Sequence, residues 1–425
     1  MCTRRFALAP FLTLALLLLQ VGVAGAAGLR LDRSFGEGGV LRLDSEDSLS
    51  NVSFGPMAGA GDGGAFVVET KYHAGAESWH LTRYRPNGRR DAQFGRVPVV
   101  HQARDAYPLL SVDSRGRPVL AWDESRQLVV RRYLGTGHPD RTFGRAGRVA
   151  LDCVGCLPGH LLFGPRQRLT VIGEPRSRSR RFKGSLPFFF RLRDSGALDR
   201  SFSGDGVTRP RLQGAIGIGT AVADPSGAIV FSGFVCCGAE DLPYVRRLTP
   251  KGKLDRRFGK ATVESIKRLR PWTREYLWWR SDLMVRPDGR IVLLTNLEDR
   301  GTLLQLRRDG RLDRGFGQMG GRRLPWVIAH GALGPGGWMT VVAETRRRGN
   351  VAYSLSPDGR LAPGSAVDLP ESDAIESTWT EAQLRGRVLV FDGDFHECRE
   401  SCPSHPRIYR LKATRQPGDQ GRGGG

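Results

Sequence analysis

The amino-acid sequence predicts an all-β protein, a seven-bladed β-propeller of four-stranded antiparallel blades, on three observations. One turn recurs at blade-sized intervals, two kinds of strand signal each occur seven times, and the chain ends carry complementary halves of one repeat. The turn reads LDRSFG at 31–36, RDAQFG at 90–95, PDRTFG at 139–144, LDRSFS at 198–203, LDRRFG at 254–259 and LDRGFG at 312–317. A seventh copy, LAPG at 361–364, has lost its Asp and Phe. Phe35, Phe94, Phe143, Phe202, Phe258 and Phe316 follow one another at 59, 49, 59, 56 and 58 residues. That spacing suits a blade and is too long for a heptad or a short solenoid repeat.

Each turn after the first is preceded by a short strand and a Gly-containing hairpin turn. The strands are read at 80–84, 128–133, 188–193, 244–248, 303–308, 352–355 and 407–412. A second set of turn-and-strand signals lies between successive copies, at 64–68, 116–120, 167–171, 227–230, 289–293, 337–341 and 386–390. Gly and Asn supply the positive φ of tight turns, and alternating Val, Ile, Leu and Phe suit a pleated strand. No stretch of helical period interrupts them. Two strong strands and two weaker stretches per unit make a four-stranded blade. The chain opens on a turn with no strand before it and closes on strand 407–412 with no turn after it, so the two ends complete one cycle. The pattern leaves open which strand is innermost and whether closure mixes the two ends in one blade.

The succession of a strand, D-G-x-L-D-x-x-F-G and a D-G-R-I-V-L strand resembles the delta-60 repeat family of bacterial β-propellers. It is clearest at 288–293 and 309–317 and extends over 29–412. RDAQFG and LAPG depart from it, which affects blade borders. The resemblance implies a propeller architecture and export, and brings no catalytic residue set.

Residues 1–27 read as a secretory signal: Arg4 and Arg5, an apolar run over 6–23, then Ala24-Gly25-Ala26-Ala27 with cleavage after Ala26. An uncleaved anchor is the alternative. Residues 28–412 form the propeller, which overrides the two or three domains that length alone suggests, and 413–425 read as a disordered Gly-rich tail. The expected location is secreted or at the cell surface, as a monomer. The formal charge is +22, from 65 basic and 43 acidic residues. Only 7 of the basic residues are Lys, an Arg bias that GC-rich codon usage produces, so local clusters weigh more than the total. Of seven cysteines, Cys2 leaves with the signal. The rest form close pairs, Cys153 with Cys156, Cys236 with Cys237 and Cys398 with Cys402, which export favours as disulfides.

For the repeated Asp32, Asp91, Asp140, Asp199, Asp255 and Asp313 the expected role is structural, accepting bonds from turn amides, while each Phe plugs the gap between neighbouring blades. Strand alternation puts both Gly-rich turns on one face and the irregular connections on the other, where recognition is expected. Three of those connections are basic: Arg176, Arg178, Arg180, Arg181 and Lys183; Lys267, Arg268, Arg270 and Arg274; and Arg346, Arg347 and Arg348. Trp272, Tyr276, Trp278 and Trp279 lie beside the second, with core packing favoured for Trp278 and Trp279. Cys153-Val-Gly-Cys156 has redox spacing without the helix that redox chemistry needs. His396, Cys398, Cys402 and His405 offer zinc ligands, but oxidising export favours the disulfide, and no metal or cofactor is expected.

No nucleophile elbow, phosphate loop or metal-loop pattern occurs. The leading expectation is a non-catalytic binding or scaffold protein contacting an acidic wall polymer, a glycan or a protein, without specific nucleic-acid recognition. The alternative is a hydrolase or lyase with convergent side chains at the mouth of the central channel.

Overall fold

The computed structural model describes residues 26–43, 52–73, 76–99, 108–124, 126–175, 186–212, 218–234, 243–267, 281–297, 300–345, 348–370, 378–383, 387–392 and 406–415. They form seven antiparallel sheets. From the axis outward, blade 1 runs Val52–Gly59, Ala65–His73, Ala76–Tyr84 and Arg96–Val99, and blade 2 runs Leu109–Val112, Pro118–Glu124, Gln127–Arg132 and Arg148–Asp152. Blade 3 follows with Cys156–Gly164, Arg168–Pro175, Phe188–Leu192 and Val207–Thr208, and blade 4 with Thr220–Ala223, Ile229–Phe234 and Pro243–Leu248. Blade 5 is Ser281–Val285, Ile291–Leu297, Arg300–Leu306 and Gly321–Arg323, and blade 6 is Val327–Leu333, Met339–Thr345, Gly349–Leu355 and Val367–Asp368.

Blade 7 mixes the chain ends. Thr378–Gln383, Arg387–Asp392 and Arg407–Arg415 come from the C-terminal part, and Ala26–Leu31 and Val40–Arg42 both pair with the last of them. The first strands of successive blades pack side by side around a closed ring, from blade 1 through blade 7 and back, and so line the axis. The strong strand signals are therefore the second and third strands of each blade. The weaker stretches are the inner and outer ones.

Seven apolar clusters occupy the seven gaps between blades among the described residues. Six contain one repeated Phe: Phe35 between blades 7 and 1, Phe94 between 1 and 2, Phe143 between 2 and 3, Phe202 between 3 and 4, Phe258 between 4 and 5, and Phe316 between 5 and 6. None is more than 5% exposed. The gap between blades 6 and 7 has none. There the amide of Ser365 bonds the Ala362 carbonyl as the amide of Phe316 bonds that of Asp313, so Ser365 stands where the Phe would be.

Blade 4 departs from the expected four strands. At the repeated turn the chain enters helix α1, Arg256–Lys267, which contains Phe258 and stands in place of an outer strand. In other copies a second glycine four residues past the Phe takes a positive φ, as at Gly39, Gly147, Gly206 and Gly320, and the amides of Gly39, Gly206 and Gly320 bond back to the Phe carbonyl. Thr262 holds this position in blade 4, and a β-branched residue resists the left-handed region. The chain stays helical instead. Asp255 caps the helix by accepting from the Phe258 amide at 3.0 Å, and Thr262 Oγ1 donates to the Val245 carbonyl at 2.9 Å, covering the edge a fourth strand would have used.

Candidate functional site

The two faces of the ring have different chemistry. On the repeated-turn face, the repeated Asp residues accept from nearby amides or hydroxyls, and most also from a polar side chain on the strand before them, Asp199 pairing instead with Arg168 at 2.9 Å. Asp140 bonds Arg132, Asp255 bonds Arg247 and Asp91 bonds Arg83, each eight residues back, while Asp313 uses Gln305. In the closing blade Asp32 lies 3.1 Å from Arg410 and 3.0 Å from Lys412. Several of these guanidiniums also stack on the repeated Phe: Arg132 on Phe143, Arg191 on Phe202, Arg247 on Phe258 and Arg410 on Phe35, at 4.2–4.7 Å from the ring centre.

The same arginines reach the next blade. Arg191 donates to the carbonyls of Pro250 and Gly227, Arg247 to that of Arg308, and Arg410 to those of Gly63 and Pro86. Burial alone would raise the Asp32 carboxyl, but Lys412, Ser34 and Arg410 outweigh it and hold it far below the usual carboxylate range. Asp140, Asp199 and Asp255 are lowered in the same way against their burial, and Asp91 is lowered chiefly by its bond to Arg85. These carboxylates are structural, as expected. Arg83, Arg132, Arg191, Arg247 and Arg410 are thus features of the repeat rather than surplus charge.

The opposite face carries the candidate site. Here the second strand of each blade turns into the third, and the outer strand crosses to the next blade. Cys153 and Cys156, both buried, form the expected disulfide at the crossing from blade 2 to blade 3. The inner strand of blade 3 starts there and carries a bulge at Gly159, between Pro158 and His160. A Cβ on Gly159 would lie 2.5 Å from Glu174 Oε1, so only glycine admits that carboxylate beside the bulge.

The bulge turns His160 into a cavity of about 530 Å³ lined by Leu157, Pro158, His160, Glu174, Pro175 and Ile218. His160 Nε2 lies 3.5 Å from the Ile218 carbonyl of blade 4 and 3.9 Å from Glu174 Oε1. Burial lowers the His160 pKa, against a smaller opposing effect of the Ile218 carbonyl. Tyr244, on blade 4, has its hydroxyl pushed up first by burial and then by the Glu174 charge, so this carboxylate is felt across the blade boundary.

Further round the inner strands, Asp282 of blade 5 accepts from the Gly331 amide at 3.1 Å and lies 3.4 Å from His330 Nδ1, both on blade 6. Thr220 Oγ1 of blade 4 is 3.5 Å from the other Asp282 oxygen. This group ties three inner strands together. No set of three or more His, Cys, Asp or Glu side chains suited to a metal ion occurs among the described residues.

Arg348 is exposed and paired with Asp368 at 2.6 Å. Arg178, Arg180, Arg181, Lys183, Arg268, Arg270, Trp272, Arg274, Tyr276, Arg346 and Arg347 lie outside the described residues, as do Trp278, Trp279, Cys236, Cys237, His396, Cys398, Cys402, His405 and residues 1–25 of the segment 1–27 expected to be a signal. The residues bracketing the first and third basic connections, Pro175 with Leu186 and Thr345 with Arg348, stand at the irregular face.

The second connection corrects the sequence expectation. Lys267 ends α1, whose Ser265 hydroxyl accepts from the Leu312 amide in the repeated turn of blade 5, so this connection leaves from near the repeated turns, and Ser281, where the described chain resumes, starts the inner strand of blade 5 at the irregular face. The sequence reading passed over His160, Glu174, Asp282 and His330, because it left the inner strand open. The pair Pro158-Gly159 inside a strand was the available signal, since it marks a bulge.

The chain matches no protein-family model and no curated protein. Among solved structures it is similar to the polysaccharide lyase Uly1, with a TM-score of 0.51 at 10% identity over 83% of this chain and 88% of that one. It is also similar to prolyl oligopeptidase B of Galerina marginata, with a TM-score of 0.50 at 11% identity over 85% of this chain, which spans about half (51%) of that one. At such identity the likeness is one of fold, a β-propeller.

Proposed function

We propose that the protein is an exported binding propeller of delta-60-like repeats that holds an extracytoplasmic polyanion at its irregular face. The observation that supports the reading is that the cavity wall includes the residue after which the first basic connection begins. Pro175 lines the cavity and is also the residue from which the segment bearing Arg178, Arg180, Arg181 and Lys183 departs. The Cys153–Cys156 disulfide at the same face is in keeping with export. Arginines carry their charge at every relevant pH and pair with carboxylate or sulfate through a planar fork.

The test is binding of polygalacturonate and of polyphosphate over a series of salt concentrations. Changing Arg178, Arg180 and Arg181 to Ser should weaken both and lessen the steepness of the salt dependence by roughly one unit of log–log slope per lost contact. A control losing the exposed Arg33, Arg200 and Arg314 of the repeated-turn face should bind as wild type does. Equal loss in the control would mean that the charge is generic.

A second reading, a hydrolase or lyase acting at the channel mouth, is favoured by one specific observation: His160 and Glu174 share a cavity. Turnover of a bound polymer that His160→Ala abolishes without weakening binding would select it.

A further inference from the structure

We infer that the repeated-turn face of blades 3 to 6 is a docking surface for an anionic lipid bilayer. A cluster of lysines and arginines on blade 4 meets the headgroups, and apolar turn tips on either side of it enter the interface. This is independent of the polymer reading, because it uses the opposite face and none of the residues invoked there.

Lysine is the first sign. Only 7 of the 65 basic residues are Lys, yet Lys251, Lys253, Lys260 and Lys267 fall in one short stretch. The codon usage that multiplies arginine works against lysine, so composition does not produce this cluster. Lys251 and Lys253 stand on the hairpin turn after the third strand of blade 4, and Arg256, Arg257 and Lys260 on the start of α1. All five are exposed, and none of their side chains has an ion-pair or hydrogen-bond partner among the described residues. Arg247, on the strand just before, is by contrast held by Asp255 at 2.7 Å.

The cluster works against the fold. Arg256 and Lys260 lie one helical turn apart and repel each other, and the first turn of α1 holds no acid to offset them. An outside negative charge would relieve that repulsion. The compact, strongly hydrated ammonium, in a chain whose usual cation is arginine, suits a field of headgroups better than a planar fork that selects one carboxylate.

Charge alone would fit a dissolved polyanion equally well. The apolar residues favour a bilayer. Met319 is 71% exposed at a turn tip with φ of 54°. Gly38 and Ala146 take the corresponding place in the turns of Phe35 and Phe143. A long apolar side chain at that place costs exposure and left-handed backbone together, and no contact within the fold calls for it. Leu134, Leu198 and Leu361 are also exposed on this face, whereas Val154 is the only exposed large apolar residue on the other among the described residues. Apolar exposure therefore has a side, and it is the side of the lysines.

The parts adjoin one another. The Ser203 amide, in the turn that begins at Leu198, donates to the Lys251 carbonyl at 2.9 Å. α1 touches blade 5 where the Ser265 hydroxyl accepts from the Leu312 amide at 2.9 Å. Arg322, just past Met319, donates to the Asp358 carbonyl at 3.2 Å, next to Leu361 on blade 6. Cations flanked by protruding apolar residues are the composition of a surface that lies on a membrane.

The experiment is cosedimentation of the full chain with vesicles of phosphatidylcholine alone and of phosphatidylcholine with phosphatidylglycerol, each melting temperature being measured beforehand. Wild type should bind the anionic vesicles and leave the neutral ones. Lys251→Ser, Lys253→Ser and Lys260→Ser together should weaken partitioning by about a hundredfold, at roughly fivefold for each basic residue near a charged surface. Met319→Asn, which suits the left-handed region, should weaken it by about threefold or more without lowering the melting temperature. The irregular-face variant Arg178→Ser, Arg180→Ser and Arg181→Ser should bind vesicles as wild type does. Wild type that binds both kinds of vesicle equally, or neither, overturns the docking surface, and so does a lysine variant that binds as wild type. Equal loss in the irregular-face variant makes the charge generic and overturns it too. Loss in the lysine variant beside full binding by Met319→Asn would assign the patch to a soluble polyanion and overturn the bilayer as its occupant. If the lysine variant melts early, wild type on anionic vesicles is washed with rising salt instead: release supports the surface, and retention at high salt overturns it.

Discussion

On the repeated-turn face, Arg410 is 1% exposed, stacks on Phe35 and bridges Asp32 to two carbonyls of blade 1. On the opposite face, Arg348 stands exposed with Asp368 as its partner. The same residue type closes the ring in one place and meets solvent in the other. On the first face Arg132, Arg191, Arg247 and Arg410 are absorbed by architecture, each with a repeat Phe ring and a neighbouring carboxylate or carbonyl waiting for it, while Arg33, Arg200 and Arg314 stand exposed beside them. On the second face no repeat rule governs the connections, so their lengths and charges are free to suit a ligand. Net charge alone could not make this distinction, whereas position within the repeat can.

The largest effect that sharpens the comparison is expected at ring closure. Arg410→Met leaves Asp32 buried against fewer cations and removes the bonds to Gly63 and Pro86. Denaturant titration should show a loss of about 3–5 kcal/mol, the usual cost of breaking a buried ion pair. A loss no greater than that of a surface arginine would mean that the face is not a structural unit.

Acid should act on the same face. Asp32, Asp91, Asp140, Asp199 and Asp255 all have lowered pKa values in the fold. Their contribution is therefore present in full above the unfolded carboxyl value of about 3.9 and is lost as pH falls through the lower folded values. Stability should decline below about pH 4, and Asp140→Asn, less stable at neutral pH, should decline less steeply. A steeper acid decline in that variant would contradict the assignment.

A smaller effect is expected at α1. Thr262→Val removes one of two donors to the Val245 carbonyl, with Arg246 Nη1 still at 3.2 Å, and should cost about 1 kcal/mol, the net worth of one hydrogen bond. The smallest is the control: losing Arg33, Arg200 and Arg314 together should leave the denaturation midpoint where it was.

The parts of the fold that were legible were those written in every copy. The spacing of Phe35 through Phe316 announced the ring, and the unmatched turn at 31–36 announced its closure. Helix α1 was hidden because it arises inside a turn that otherwise matches, where Thr262 replaces a glycine; the absent glycine is not sufficient by itself, since Pro98 holds the same place after Phe94 and the chain there continues into a strand. The arginine eight residues before four of the six Asp residues was also present in the sequence, at 83, 132, 191 and 247, but its meaning depends on a strand register that only the assembled blade supplies. His160 and Glu174 were less legible still. They meet across two strands and a bulge, and no local pattern brings residues 160 and 174 together.

The most direct test of the division between the faces is hydrogen exchange of the full chain with and without polygalacturonate. The account predicts slowed exchange in peptides covering 156–164, 168–175 and 218–223, with 85–95, 134–144 and 193–203 unchanged. Slowing in the repeated turns, with none around His160 and Glu174, would contradict it.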